Sequence, residues 1–313
     1  MSLLPRTLAT GLLLLAFAAL AQVPPPSPVR AVAQAIRDHY FDPVRGAAIA
    51  EDLLRDAANG GFEAPDEPEA LAEALTRRLK PLDRHFKVQW AGADMTATGP
   101  GPRPSMPDGG SGIRRVEVLP GNIGLLSLGE FAHFPFGQPD APVRRAIDEA
   151  LARLAGTDAM VIDLRDNRGG SPHMVGYLTS AFTPRGADIY NTFHSREGTF
   201  SEAPLDWFPS PRLDVPVYLL INGRTGSAAE AFAYTMKNAG RATVVGEASG
   251  GAANPGRFFD LEGGFRVFVS TGTPVSPVTG TNWEATGVQP DLAVPSDQAL
   301  ERALRSARGK LSS

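Results

Sequence analysis

The chain contains no cysteine, and that absence removes disulfides, thiolate metal sites, a cysteine nucleophile and a lipid-modified cysteine anchor together. Covalent chemistry must therefore come from hydroxyls, imidazoles, carboxylates or amines. Lysine and arginine form no dense block and the net charge is -4, so neither nucleic acid nor an anionic membrane surface is indicated as a partner. The sequence has no His-Glu-x-x-His pattern, no Asp-x-Asp-x-Asp-Gly loop, no Gly-x-x-x-x-Gly-Lys-Ser/Thr cradle, no Gly-x-Gly-x-x-Gly turn and no Gly-x-Ser-x-Gly elbow. Those gaps argue against a zincin, a calcium loop, a nucleotide-binding protein and an α/β-hydrolase. Neither a metal nor a cofactor is expected.

Long apolar runs are missing too, apart from one at the start, "MSLLPRTLATGLLLLAFAALAQVPPPSP". It has Arg6, an apolar stretch from Gly11 to Leu20, and Ala19-Leu20-Ala21 as a small-x-small cleavage site before Gln22. The uninterrupted apolar core is shorter than the roughly 18 to 20 residues needed to span a bilayer, and prolines follow at once. Residues 1–21 therefore read as a secretory signal peptide, leaving no membrane span after cleavage and a periplasmic or secreted protein.

What remains is globular and rich in turns: 42% of residues are apolar, with 33 glycines and 28 prolines in 313 residues. The segments "VRAVAQAIRDHYFDP", "GAAIAEDLLRDAA" and "EPEALAEALTRRLKPL" carry apolar residues at helical spacing, which predicts a small helical subdomain over 28–95. The Pro/Gly/Ser-rich "TATGPGPRPSMPDGGSG" predicts a linker, taken as 96–115. From 116 to 300, short β-rich runs such as "NIGLLSL", "DAMVIDLRD" and "VPVYLLING" alternate with helical patterns. That alternation predicts an α/β core with a largely parallel sheet and crossover helices. In such sheets functional residues collect where strands end, which singles out "VIDLRDNRGGSP" and "LLINGRTGSAAE".

In "TGSAAE" Ser227 and Glu230 have the Ser-x-x-Glu spacing of a capping box, and on this hexapeptide alone the serine is a helix cap rather than a nucleophile. A nucleophilic serine needs a base. His39, His85, His133, His173 and His194 are all available, and the residues by themselves do not choose among them. The pair Gly169-Gly170 reads either as a tight turn or as backbone left open toward an anion.

Four stretches together change the balance: "PGNIGLLSLGEF", "VIDLRDNRGG", "LINGRTGSAAEAFAYTMKNAGRATVVGEASGG" and "TNWEATGVQPDLAVP". In order and spacing, over roughly residues 82 to 295, they resemble the tail-specific (carboxyl-terminal-processing) serine peptidase family. The likeness is strongest to the branch with tricorn protease and interphotoreceptor retinoid-binding protein. The resemblance implies a ClpP/crotonase-like core and a polypeptide substrate. It implies Ser227 as nucleophile, His85 of "LDRHF" as base and Glu284 of "TNWEATGV" as its partner. The oxyanion donors it implies are a backbone N–H of the Gly169-Gly170 pair and that of Ala228.

The processing branch pairs its serine with a lysine, but no lysine stands in "GEASGGAANPG", and Arg257 stays protonated at any useful pH. Tricorn-like sequences can carry a second serine beside the histidine, where this chain has Arg84. About 30 residues separate His85 from Val116, too few for a PDZ module of roughly 50 or more. The expected function is an exported serine peptidase. The alternative implied by the same resemblance is a noncatalytic carrier of hydrophobic ligands. Oligomeric state is not legible.

Overall fold

The computed structural model describes residues 27–62, 67–92, 110–135 and 137–312. The expected signal peptide and most of the expected linker lie outside these residues. Seven α-helices and twelve strands are described: α1 Ser27–His39, α2 Pro43–Ala58, α3 Pro68–Leu79, β1 Lys87–Trp90, β2 Ile113–Leu119, β3 Ile123–Leu128, α4 Pro142–Arg153, β4 Ala159–Asp163, α5 Pro172–Ser180, β5 Thr192–Ser195, β6 Gly198–Ser201, β7 Val217–Ile221, α6 Ala228–Asn238, β8 Thr243–Gly246, β9 Gly256–Asp260, β10 Phe265–Ser270, β11 Gly272–Val275, β12 Leu292–Ala293 and α7 Ala299–Leu311.

The abundant prolines do not oppose the helices, because several of them begin one. Helices α2, α3, α4 and α5 all start on proline, whose fixed φ suits the first turn and whose missing N–H would have had no intrahelical acceptor. Ahead of α2, Asp42 caps the helix by accepting from the N–H groups of Val44 and Arg45.

The central sheet has the order β12-β8-β7-β4-β3-β2. The pairs from β3 through β4, β7 and β8 to β12 are parallel, and β2 adds antiparallel at the edge. Side chains alternate across it. Leu126, Ile162 and Leu219 lie in register and face the core beneath α4, α5 and α6, whereas Leu125, Val161 and Tyr218 face the α7 side. Helix α7 meets that face through Ala299, Ala303 and Ala307, spaced four apart along one stripe. Layers on both faces explain why β4 and β7 read as continuous apolar runs rather than alternating ones.

A second core lies under α1, α2 and α3, where Val32, Ile36, Leu53, Leu75 and Leu79 pack with Phe86, Val88, Phe265, Val267 and Val269. The last three belong to β10. Strand β1 pairs antiparallel with β10, and β10 with β9, so the helices share their sheet with strands from far along the chain.

Candidate active site

The C-terminal ends of β4, β7 and β8 lead into three loops that hold one another. Thr225 Oγ1 donates to Leu164 O at 2.9 Å, Gly226 N to Asn167 O at 2.9 Å and Gly250 N to Thr225 O at 2.8 Å. The loop after β7 then delivers Ser227 to the start of α6. Ser227 has φ 53° and ψ -123°, a conformation that suits glycine and costs a serine on the order of 1–3 kcal/mol. An ordinary cap residue sits in the relaxed β region instead. Capping alone therefore does not account for this backbone.

Glu230, one turn on, does more than cap. It is fully buried, and its two oxygens accept four hydrogen bonds. One comes from Ser227 N at 2.8 Å and one from Ala252 N at 2.9 Å; Ser249 Oγ and Gly251 N supply the others, both at 2.6 Å. The carboxylate thereby ties the Ser227 turn to the loop after β8. The same loop reaches the second half of the site, because Ala253 N and Asn254 N donate to Glu284 Oε2 at 2.9 and 3.1 Å.

Glu284 sits in a turn anchored by the fully buried Trp283, and its other oxygen lies 3.5 Å from His85 Nδ1. Asp83 is closer still. Its Oδ1 is 3.0 Å from Nδ1 and also accepts the His85 main-chain N–H at 2.9 Å. Burial alone would lower the His85 pKa, but the Asp83 hydrogen bond and the Glu284 and Asp83 charges outweigh it, and Arg84 opposes only in part, so the value is raised above that of free imidazole. Burial alone would raise Asp83, yet its bonds to the His85 ring and N–H hold it below the usual carboxylate range. Among the described residues, this is the one set that gathers three such groups, with donor atoms within 4.8 Å of one another.

Loop contacts thus link Ser227, His85 and Glu284. Among the described residues no hydrogen bond joins Ser227 Oγ to the imidazole, a contact that commonly tightens only with substrate bound. Arg84 spans the same junction, donating to Gly250 O at 2.9 Å. Gly169 lies against the serine: a Cβ added there would stand 2.7 Å from Ser227 Cβ and 2.8 Å from Ala228 N. Gly169 and Gly170 have φ of 105° and 140°, so both need glycine's freedom. The Gly169 N–H is already donated to Asn167 Oδ1 at 2.9 Å. Ala228, the first helical residue, has no intrahelical acceptor for its N–H.

The other histidines sit elsewhere. His39 stacks on Phe259, His133 and His173 lie side by side near Ser171, and His194 is exposed on β5. Sequence reasoning missed the roles of Asp83 and of the Glu230 network. For Asp83 the signal was present, as the first residue of an Asp-x-His pair.

The Peptidase family S41 model matches residues 122–294, which is more than half of the chain. A carboxyl-terminal-processing protease of a Picosynechococcus species is 27% identical over 177 residues, 56% of this chain and 40% of that protein. Carboxyl-terminal-processing peptidase 2 of Arabidopsis thaliana chloroplasts is 32% identical over 163 residues, 48% of this chain and 29% of that protein. The matches thus span well under half the length of these relatives. The crystal structure of a candidate peptidase from Parabacteroides merdae superposes with a TM-score of 0.65 at 19% identity, over 91% of this chain and 97% of that one. Its likeness shows the fold. With the family match covering the parallel strands of the sheet, the Ser227 turn and the Glu284 turn, the chain belongs to peptidase family S41.

Proposed function

We propose that this chain is an exported serine peptidase that cleaves polypeptides through an acyl-enzyme. Ser227 is the nucleophile. His85 takes its proton and later returns it to the leaving amine, while Glu284 supports the imidazolium. Ala228 N–H and a backbone N–H of the Gly169-Gly170 pair receive the oxyanion, beside the positive end of the α6 dipole. The observation that carries the reading is the strained backbone of Ser227, since a serine that merely caps a helix has no use for φ 53°. Membership of family S41 and the lysine-free loop after β8 favour the histidine base over a lysine.

An apolar cavity of about 380 Å³ under α4, lined by Leu151, Met160, Phe182 and Phe208, is where a carrier of hydrophobic ligands would hold its cargo. Binding there requires neither a strained serine nor an imidazole beside carboxylates. Fluorophosphonate labelling separates the two readings without knowledge of the substrate. Wild-type protein should label at Ser227 and Ser227→Ala should not; equal labelling of both would sink the assignment. The same labelled protein, recovered after export, should begin at Gln22.

A further inference from the structure

His85 is approached by one carboxylate more than an orienting partner requires, and the two are not equivalent. The contact from Asp83 Oδ1 to Nδ1, at 3.0 Å, is a normal hydrogen bond, whereas 3.5 Å from Glu284 Oε1 is at the limit. Asp83 Oδ1 also holds the His85 N–H, and its own carbonyl accepts from Phe86 N at 3.1 Å, so the tetrapeptide 83–86 closes on itself around the imidazole. The Asp83 side chain is 4% exposed against 23% for Glu284, so its charge acts through less solvent. Glu284, by contrast, spends its second oxygen on the N–H groups of Ala253 and Asn254.

We propose that Asp83 is the principal positioning residue for the base, fixing the tautomer with the proton on Nδ1 and leaving Nε2 as the basic nitrogen. Glu284 then acts from farther out, supporting the cation and tethering the loop after β8. This rests on the reading of His85 as the base. The charged and titratable groups around the imidazole are Asp83, Glu284 and Arg84, with the Tyr40 hydroxyl behind Asp83. With two carboxylates beside it, the imidazole stays protonated to higher pH than a free one, which places the acid limb of reactivity above pH 6.5.

The test is the second-order rate of fluorophosphonate labelling of the whole protein as a function of pH. Asp83→Asn should slow labelling by roughly 10²–10⁴-fold and move the acid limb to lower pH, because an amide carries no charge to stabilise the imidazolium. Glu284→Gln should slow it less and leave the limb above the free-imidazole value. Asp83→Asn with the wild-type rate and limb would overturn the proposal and leave the peptidase reading standing. Wild-type protein that never labels would overturn both. Should Asp83→Asn fail to fold, ¹⁵N NMR of the His85 ring in Glu284→Gln provides the second measurement. An Nδ1-protonated neutral form titrating above 6.5 supports Asp83, and a return to free-imidazole behaviour overturns it.

Discussion

Replacing Glu230 with alanine separates a helix cap from a structural hub. If the glutamate only completed a capping box, Glu230→Ala would cost about 1 kcal/mol. The structure gives it four donors instead: the main-chain N–H groups of Ser227, Gly251 and Ala252, and the Ser249 hydroxyl. All four converge on a fully buried carboxylate. Each buried donor left without an acceptor costs about 1–3 kcal/mol, and water entering the vacated space offsets part of that. A total of about 4 kcal/mol follows, toward the lower end of the sum. For a domain of this size that lowers the melting temperature by about 8–16 °C, against roughly 2–4 °C for loss of a cap.

The chemistry should fall with it, since the same carboxylate holds the Ser227 N–H and the loop that carries the contacts to Glu284. Ser249→Ala removes one donor of the four and also strands the buried Val288 N–H, which donates to Ser249 Oγ at 2.7 Å, so it should cost about 1–3 kcal/mol, still less than Glu230→Ala. Thermal melts and fluorophosphonate labelling on the two variants settle the matter. A Glu230→Ala protein that melts within about 4 °C of wild type and labels at the wild-type rate would refute the hub.

Two further substitutions probe stored strain and buried charge. Ser227→Gly should be more stable than Ser227→Ala by about 1 kcal/mol, since glycine adopts φ 53° without penalty while alanine inherits the strain; equal melting temperatures would mean that the turn is not strained. Glu202, completely buried with Asn191 Nδ2 donating to it, has its pKa pushed up by burial to about 8. The folded state then binds more protons than the unfolded one between about pH 4.5 and 8, so stability should fall as pH rises through that window, by on the order of 4 kcal/mol. Melts of Glu202→Gln from pH 5 to 8 should lose that slope, and an unchanged slope would show that Glu202 is not its source.

Helices and the parallel sheet were legible because their signals are local. Apolar spacing marks α1, α2 and α3, and the runs that became β4 and β7 carry no polar alternation because helices cover both faces. The motif set placed Ser227, Glu284 and His85 in loops that the structure brings to a common junction. Asp83 stayed hidden although it stands two residues from His85, since a sequence does not show whether an aspartate turns inward to the imidazole or outward to water. Glu230 was undervalued for a different reason. Three of its four donors belong to residues 249–252, and only the folding back of the loop after β8 reveals them. The commitment of the Gly169 N–H to Asn167 is likewise a product of the folded loop.

That hidden, nonlocal part is also what makes the site conditional on the whole chain. His85 lies just before β1, and β1 is held by β10 through the register Lys87↔Phe268 to Trp90↔Phe265. Strand β10 in turn contributes Phe265, Val267 and Val269 to the core beneath α1, α2 and α3. His85, the proposed base, is therefore positioned by a strand that follows Ser227 in sequence, and the helical segment buries its apolar face partly against that strand. Arg84 adds a polar link at the same seam through Gly250 O. Separating the segment before residue 93 from the rest would leave both parts with exposed apolar surface and would take His85 away from Glu284, so the proposed site is complete only where the two parts pack together.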